Sequence, residues 1–199
     1  MSNPCLSCRR DCCAAFSIFL TPADVIRIAD RLAVPAPDFC DIVVLADEIN
    51  DYRPYSFALT GPQRYLLRLR RPRGSCLFAL RLPGGTRCGI HPFRPAMCRC
   101  YPYSAESGPL RPVRQMLCSE PWKLTPELTA DFAGSFRELK AAFFQFQAFL
   151  DTWHHDLPDL VRRARAAARP GAAAVSKPSP RASPLRTAIL AEFWRRLVL

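Results

Sequence analysis

No run of about eighteen uninterrupted apolar residues occurs in the 199-residue chain, so no segment reads as a bilayer-spanning helix. The opening stretch, MSNPCLSCRRDCC, lacks the apolar h-region of a secretory signal, because polar and charged residues interrupt it at once. Histidine is scarce, with three in all, and no second histidine stands at ligand spacing, which argues against a nucleic-acid-binding finger. No glycine-rich strand-to-helix loop is followed by an acidic residue, which speaks against a nucleotide-type cofactor pocket; Gly84-Gly85 falls inside a cysteine loop. The C-x-x-C at Cys5 and Cys8 has no strand before it and no βαβ context, so a thiol oxidoreductase is disfavoured. The first two absences, of a spanning segment and of a secretory signal, imply a reducing, cytoplasmic compartment for the chain.

What is present in excess is cysteine. At 199 residues the chain is long enough to bury a core without covalent staples, so stability alone does not call for ten cysteines. In a reducing compartment, thiols clustered at short spacing read as metal-binding or catalytic rather than as bridges. They fall in two groups: Cys5, Cys8, Cys12 and Cys13 near the start, then Cys76, Cys88, Cys98, Cys100 and Cys118, with Cys40 alone between them. Between Cys13 and Cys76 lie 62 residues.

The net charge of +11 suggests nucleic acid until it is divided along the chain. Residues 1–159 hold 19 Lys+Arg against 16 Asp+Glu, and residues 160–199 hold 9 against 1, so +8 of the +11 sits in the tail. The core is therefore not read as nucleic-acid-binding.

Local signals sketch the elements. FSIFL reads as a short strand or buried turn. TPADVIRIADRLAV carries a helix start, with Thr21 as N-cap, Pro22 in the first turn and Asp24 favouring the dipole, and Val25, Ile26, Ile28, Ala29 and Leu32 form its apolar face. A second short helix is expected in PDFCDIVVLADEI, carrying Cys40. YSFAL and RYLLRLRR alternate as a half-exposed strand pair. From Arg71 to Arg114 the sequence is rich in Pro, Gly, Cys and Arg and leaves little room for regular structure. A long helix begins at Thr125-Pro126, with a break or kink expected at Pro158. Trp153-His154-His155 reads as lying at a helix end, with the histidines at the surface or as caps. Residues 168–184 have linker composition, and LRTAILAEFWRRLVL forms a terminal amphipathic helix, offered to its own domain, to a protein partner or to a membrane surface. The fold class expected is α+β: an irregular, metal-stabilised cysteine-loop domain with few short strands, packed on several helices. Its boundaries are drawn at 1–160 for the metal-binding domain and 161–199 for a flexible basic linker and terminal helix.

Thiolates hold zinc and iron because they are soft, charged donors, and C-x2-C lets two of them reach one ion across a tight turn. Neighbouring side chains on an extended backbone face apart, so Cys12 and Cys13 suggest two sites, or one cluster approached from two sides. With Cys40 and Cys100 set aside, eight cysteines remain, enough for two four-thiolate sites. Four thiolates around a divalent ion leave a net charge of about −2, which needs nearby donors or cations. Arg9, Arg10, Arg87, Arg94 and Arg99 stand within a few residues of the candidate ligands, and Arg94 and Arg99 are read as their supporting partners.

C-x2-C-x3-C-C, then C-L-F, then G-G-T-R-C-G-I-H-P-F-R-P-A-M-C-R-C-Y-P and a later Cys resemble the YkgJ-type cysteine-cluster family, described as chelating zinc or iron. The resemblance spans residues 5 to 118 and is most specific from Arg94 to Pro102. It implies Cys5, Cys8, Cys12, Cys13, Cys76, Cys88, Cys98 and Cys118 as ligands of zinc or an iron-sulfur cluster. Three residues rather than the usual two separate Cys8 from the Cys-Cys pair, a spacing similar to the flagellin lysine N-methylase branch. His91 stands where the family often has an aromatic residue and reads as a packed ring. The function implied is metal binding; the alternative is a flagellin N-methylase-like protein methyltransferase or another iron-sulfur redox enzyme.

Overall fold

The structure, a computed structural model, describes residues 12–46, 53, 55–83, 85–104, 110–113, 117, 124–167 and 184–198. In chain order the elements are α1 (Cys12–Ala15), α2 (Pro22–Leu32), α3 (Ala36–Phe39), β1 (Cys40–Val44), β2 (Phe57–Ala58), β3 (Arg64–Leu69), β4 (Ala79–Leu82), β5 (Gly85–Cys88), α4 (Ala96–Cys100), β6 (Tyr103–Ser104), β7 (Arg111–Pro112), α5 (Pro126–Ala167) and α6 (Pro184–Val198). Helices with a few short antiparallel strands make the chain α+β, as the sequence leads one to expect. Among the described residues no helix is long and apolar enough to cross a membrane.

The chain divides into two compact units. One comprises Met1–Asp41 and Leu67–Phe143; the other comprises Ile42–Leu66 and Phe144–Leu199.

In the first unit, residues 16–20 run as an extended segment beside the end of β3: Leu20 N–H donates to Leu67 O and Leu69 N–H to Ile18 O, each at 2.9 Å. Helix α2 starts where the sequence places it. Thr21 and Asp24 form a reciprocal capping box, satisfying two of the backbone donors a helix start leaves open. Val25 and Ile28 are its fully buried apolar residues. Helix α3 stops at Phe39, and Cys40 opens strand β1 instead of sitting on a helix, because the β-branched run Ile42-Val43-Val44 fits a pleated surface better than a helical one.

The Arg71–Arg114 region is more regular than its composition suggests. Strands β4 and β5 pair as an antiparallel hairpin with Ala79 opposite Cys88 and Leu82 opposite Gly85, the glycine supplying a φ of 119° at the turn. Strands β6 and β7 form a second, shorter pair. The beginning of α5 closes this unit's aromatic core, where Phe132 and Phe136 meet Cys100 and Tyr103, with the Tyr103 and Phe132 ring centroids 4.9 Å apart.

In the second unit, β2 pairs with the first part of β3, Phe57 opposite Tyr65. Helix α5 continues through Pro158, although the missing N–H removes one intrahelical bond. Its Trp153 is buried mid-helix rather than at a helix end, and the indole N–H donates to Ala58 O at 2.8 Å. His154 Nε2 accepts the Ala58 N–H at 3.2 Å, so the histidine ties down an edge of β2. Helix α6 buries Ile189, Phe193 and Leu197, one residue per turn, with Phe193 stacked on Phe57 at 4.1 Å and edge-on to Trp153 at 5.1 Å. The terminal helix thus lays its apolar face on its own unit. The linker composition of residues 168–183 lies outside the described residues.

Candidate metal centre

Five of the eight sequence-predicted ligands, Cys12, Cys13, Cys76, Cys88 and Cys98, lie within the described residues of the first unit; Cys5, Cys8 and Cys118 lie outside them. None of the seven described cysteines is in a disulfide, and all five candidate ligands are half-buried.

Three separate stretches carry the five. Cys12 and Cys13 open α1, and the Cys12 carbonyl accepts the Phe16 N–H at 3.0 Å. The premise of an extended backbone at this pair is therefore corrected. Successive residues of a helix project about 100° apart, given 3.6 residues per turn, not 180° as on a strand. The two thiols accordingly hydrogen-bond to each other and share one neighbourhood.

Cys76 follows the turn after β3. Its N–H donates to Cys13 O at 2.9 Å, which sets this stretch directly against α1. The hairpin then brings Cys88 alongside: Ala79, whose N–H donates to Cys76 O at 3.0 Å, is the cross-strand partner of Cys88. The Cys76 sulfur accepts the Phe78 N–H and the Cys88 sulfur the Ile90 N–H, each two residues downstream. Backbone donors aimed at sulfur stabilise the thiolate and orient it, as outer-shell partners of metal ligands do.

Cys98 comes from α4, a helix held by a carboxylate on α2. Pro95 gives α4 no side-chain cap, and Asp24, buried at 1% exposure, accepts the Ala96 N–H at 3.0 Å in its place. Arg27, paired with Asp24, donates to the carbonyls of Phe93 at 3.3 Å and Arg94 at 3.2 Å, fixing the approach to α4. Residues two apart on a helix project about 200° apart. Cys100 therefore enters the aromatic core while Cys98 faces the other thiols. Sequence spacing alone does not reveal that division of labour.

The electrostatics describe a donor set that resists ionising without a cation. Hydrogen bonding to Cys12, then burial, then the charges of Cys12, Cys76 and Cys88 raise Cys13. Burial is the leading cause for Cys76, Cys88 and Cys98, reinforced by neighbouring thiols and opposed at Cys76 by Arg71 and at Cys88 and Cys98 by Arg94. Cys40 and Cys100 differ in that no neighbouring thiol among the described residues acts on them. Burial is the main cause that pushes each up to about 12, and Cys100 sits among aromatic side chains.

Of the two arginines read as supporting the ligands, Arg94 lies beside Cys88 and Cys98, and its buried Nε has no hydrogen-bond partner among the described residues. One of its terminal nitrogens meets His91 Nε2, the packed ring the sequence suggests. Arg99 turns away to Glu138 on α5 at 2.6 Å. Arg71, not singled out by the sequence, donates to the carbonyls of Ala14, Phe16 and Gly74.

Among the described residues, no three His, Cys, Asp or Glu side chains are drawn together tightly enough to hold an ion by themselves. The donor chemistry nonetheless fits a metal. Soft donors converge from three stretches, backbone N–H groups point at two of the sulfurs, and a guanidinium with an unspent buried donor stands beside two of them.

Comparison with known proteins agrees with this chemistry. The model of one family, CxxCxxCC, described as a putative zinc- or iron-chelating domain, matches residues 4–119. No curated protein and no solved structure matches the chain.

Proposed function

Because the chain belongs to the CxxCxxCC family of zinc- or iron-chelating domains, we propose that it binds its metal through eight thiols in one continuous centre. The ligands in this reading are Cys5, Cys8, Cys12, Cys13, Cys76, Cys88, Cys98 and Cys118. The observation that carries it is the bond from the Cys76 N–H to Cys13 O. That bond joins the two cysteine groups at the backbone, across 62 intervening residues. The helical backbone at Cys12 and Cys13 adds to it, since a pair about 100° apart serves one centre more readily than a pair facing opposite ways.

When bound, zinc supplies a redox-silent crosslink, and an iron-sulfur cluster supplies electron transfer. The residues of this chain bind and orient: thiols supply negative charge, and the Phe78 and Ile90 N–H groups and Arg94 offset part of it. Thiols maintained as ligands imply a reducing compartment, read here as cytoplasmic.

Purification with and without oxygen, followed by metal analysis and a visible spectrum, tests the proposal. A colourless protein with stoichiometric zinc, or a brown one with iron and sulfide, is expected, and Cys88→Ser or Cys98→Ser lowers that content. Protein carrying neither metal nor chromophore under both conditions, and unfolding identically with and without chelator, would falsify it.

A further inference from the structure

Arg71 touches no described cysteine side chain through a hydrogen bond, yet its guanidinium holds together the two backbone stretches that present Cys12, Cys13 and Cys76. One terminal nitrogen donates to Phe16 O, and the other to both Ala14 O and Gly74 O. Ala14 is a helical residue of α1, and Phe16 follows it. The last carbonyls of a helix have no partner within it, and α1 is too short to have any spare. Gly74 ends the 3₁₀ turn Pro72–Gly74, in which Arg73 and Gly74 both take left-handed backbone angles, φ 53° and 81°. That region disfavours a side-chain-bearing residue such as Arg73, so a contact that fixes Gly74 O helps the turn to persist. Two residues beyond Gly74, the Cys76 N–H closes on Cys13 O at 2.9 Å.

We infer that Arg71 is a positioning residue of the metal centre, a guanidinium clasp that holds the Cys12-Cys13 helix against the Cys76 turn. This rests on the metal-binding reading above. The role calls for arginine rather than lysine. A planar fork of five donors reaches three carbonyls at once; a single ammonium on a flexible stem keeps the charge and loses the span.

The experiment compares the full-length parent, Arg71→Gln, Arg71→Lys and Phe132→Leu, a core substitution in the same unit that lowers stability without touching the clasp. Zn²⁺ affinity is read by chelator competition, and Co²⁺ serves as a spectroscopic probe of thiolate coordination. Arg71→Gln is expected to weaken Zn²⁺ binding by about 10- to 100-fold, the usual loss when an outer-shell partner is removed, and to weaken the thiolate-to-Co²⁺ absorption. Arg71→Lys should fall between it and the parent. Phe132→Leu should melt earlier with parental affinity and spectrum. If the parent binds the probes and Arg71→Gln matches it in both readouts, the clasp is wrong while the metal centre stands. If Arg71→Gln does not fold, Arg71→Lys decides, and parental affinity and spectrum there overturn the inference. A parent that binds neither probe and purifies without zinc or iron removes the metal centre and the clasp with it.

Discussion

Replacing Asp24 by alanine should cost the metal-binding unit about 3 kcal/mol, well above the roughly 1 kcal/mol typical of a point substitution. Its carboxylate accepts from the Thr21 N–H at 3.1 Å, the Thr21 hydroxyl at 2.9 Å and the Ala96 N–H at 3.0 Å, and it pairs with Arg27. Breaking the capping box at α2 removes about 1 kcal/mol. Leaving the buried Ala96 donor at the start of α4 without an acceptor adds about 1–3 kcal/mol. The Arg27 contribution is small, because its side chain is 31% exposed and water can take over the charge. The ceiling is about 5 kcal/mol, the upper range for breaking a buried ion pair. At about 2–4 °C per kcal/mol for a chain of this size, the melting temperature should fall by about 6–12 °C. Asp24→Asn, which keeps one acceptor oxygen for Ala96, should lose about half as much. Denaturant unfolding of the metal-loaded chain measures both. A loss below about 0.5 kcal/mol for the alanine variant, or an asparagine variant as impaired as the alanine one, would show that Asp24 does not cap two helices.

Other outcomes follow from the same contacts. Cys40→Ala and Cys100→Ala should keep the parental metal content at a cost of about 1 kcal/mol each, since both thiols are core groups at 4% exposure; loss of metal in either would enlarge the ligand set. Phe193→Ala should destabilise the second unit by about 3–5 kcal/mol by deleting the ring between Phe57 and Trp153, with metal content unchanged. Burial, and then Arg64, hold His154 below its ordinary pKa, with Asp151 opposing them. The neutral ring is the folded form, so its contribution is intact above about pH 6.5 and declines as pH falls through the depressed folded value. The stability difference between parent and His154→Gln, measured from pH 8 to 5, should therefore shrink toward the acidic end; a constant difference would mean that His154 does not titrate with folding.

How much of this could be read from the sequence depended on distance along the chain. The cap of α2 was legible because Thr21, Pro22 and Asp24 are neighbours. The second task of Asp24 was not, since Ala96 lies 72 residues away. The cysteine groups were plain, but the side each thiol faces depends on backbone conformation, and a four-residue helix at Cys12–Ala15 is too short to leave a periodic signature. For the same reason Cys98 and Cys100 look alike until α4 turns one toward the thiols and the other into the core. Arg99 and Arg94 had equal claims by proximity; Glu138, 39 residues on, separates them. The apolar face of α6 was visible as a pattern, while its seat on Phe57 and Trp153 depends on pairing that no local window contains.

The contact between Cys13 and Cys76 also sets a clock for synthesis. A ribosome adds about 5–20 residues per second, so the first thiols emerge several seconds before Cys76, Cys88 and Cys98 exist. In the proposed ligand set, Cys5, Cys8, Cys12 and Cys13 are for that interval a partial set of donors, open to oxidation and to whatever metal is at hand. The proposed centre cannot be completed when its first four cysteines appear. It closes only when the 62-residue excursion returns, so the nascent chain depends on its surroundings to keep those first thiols reduced until then.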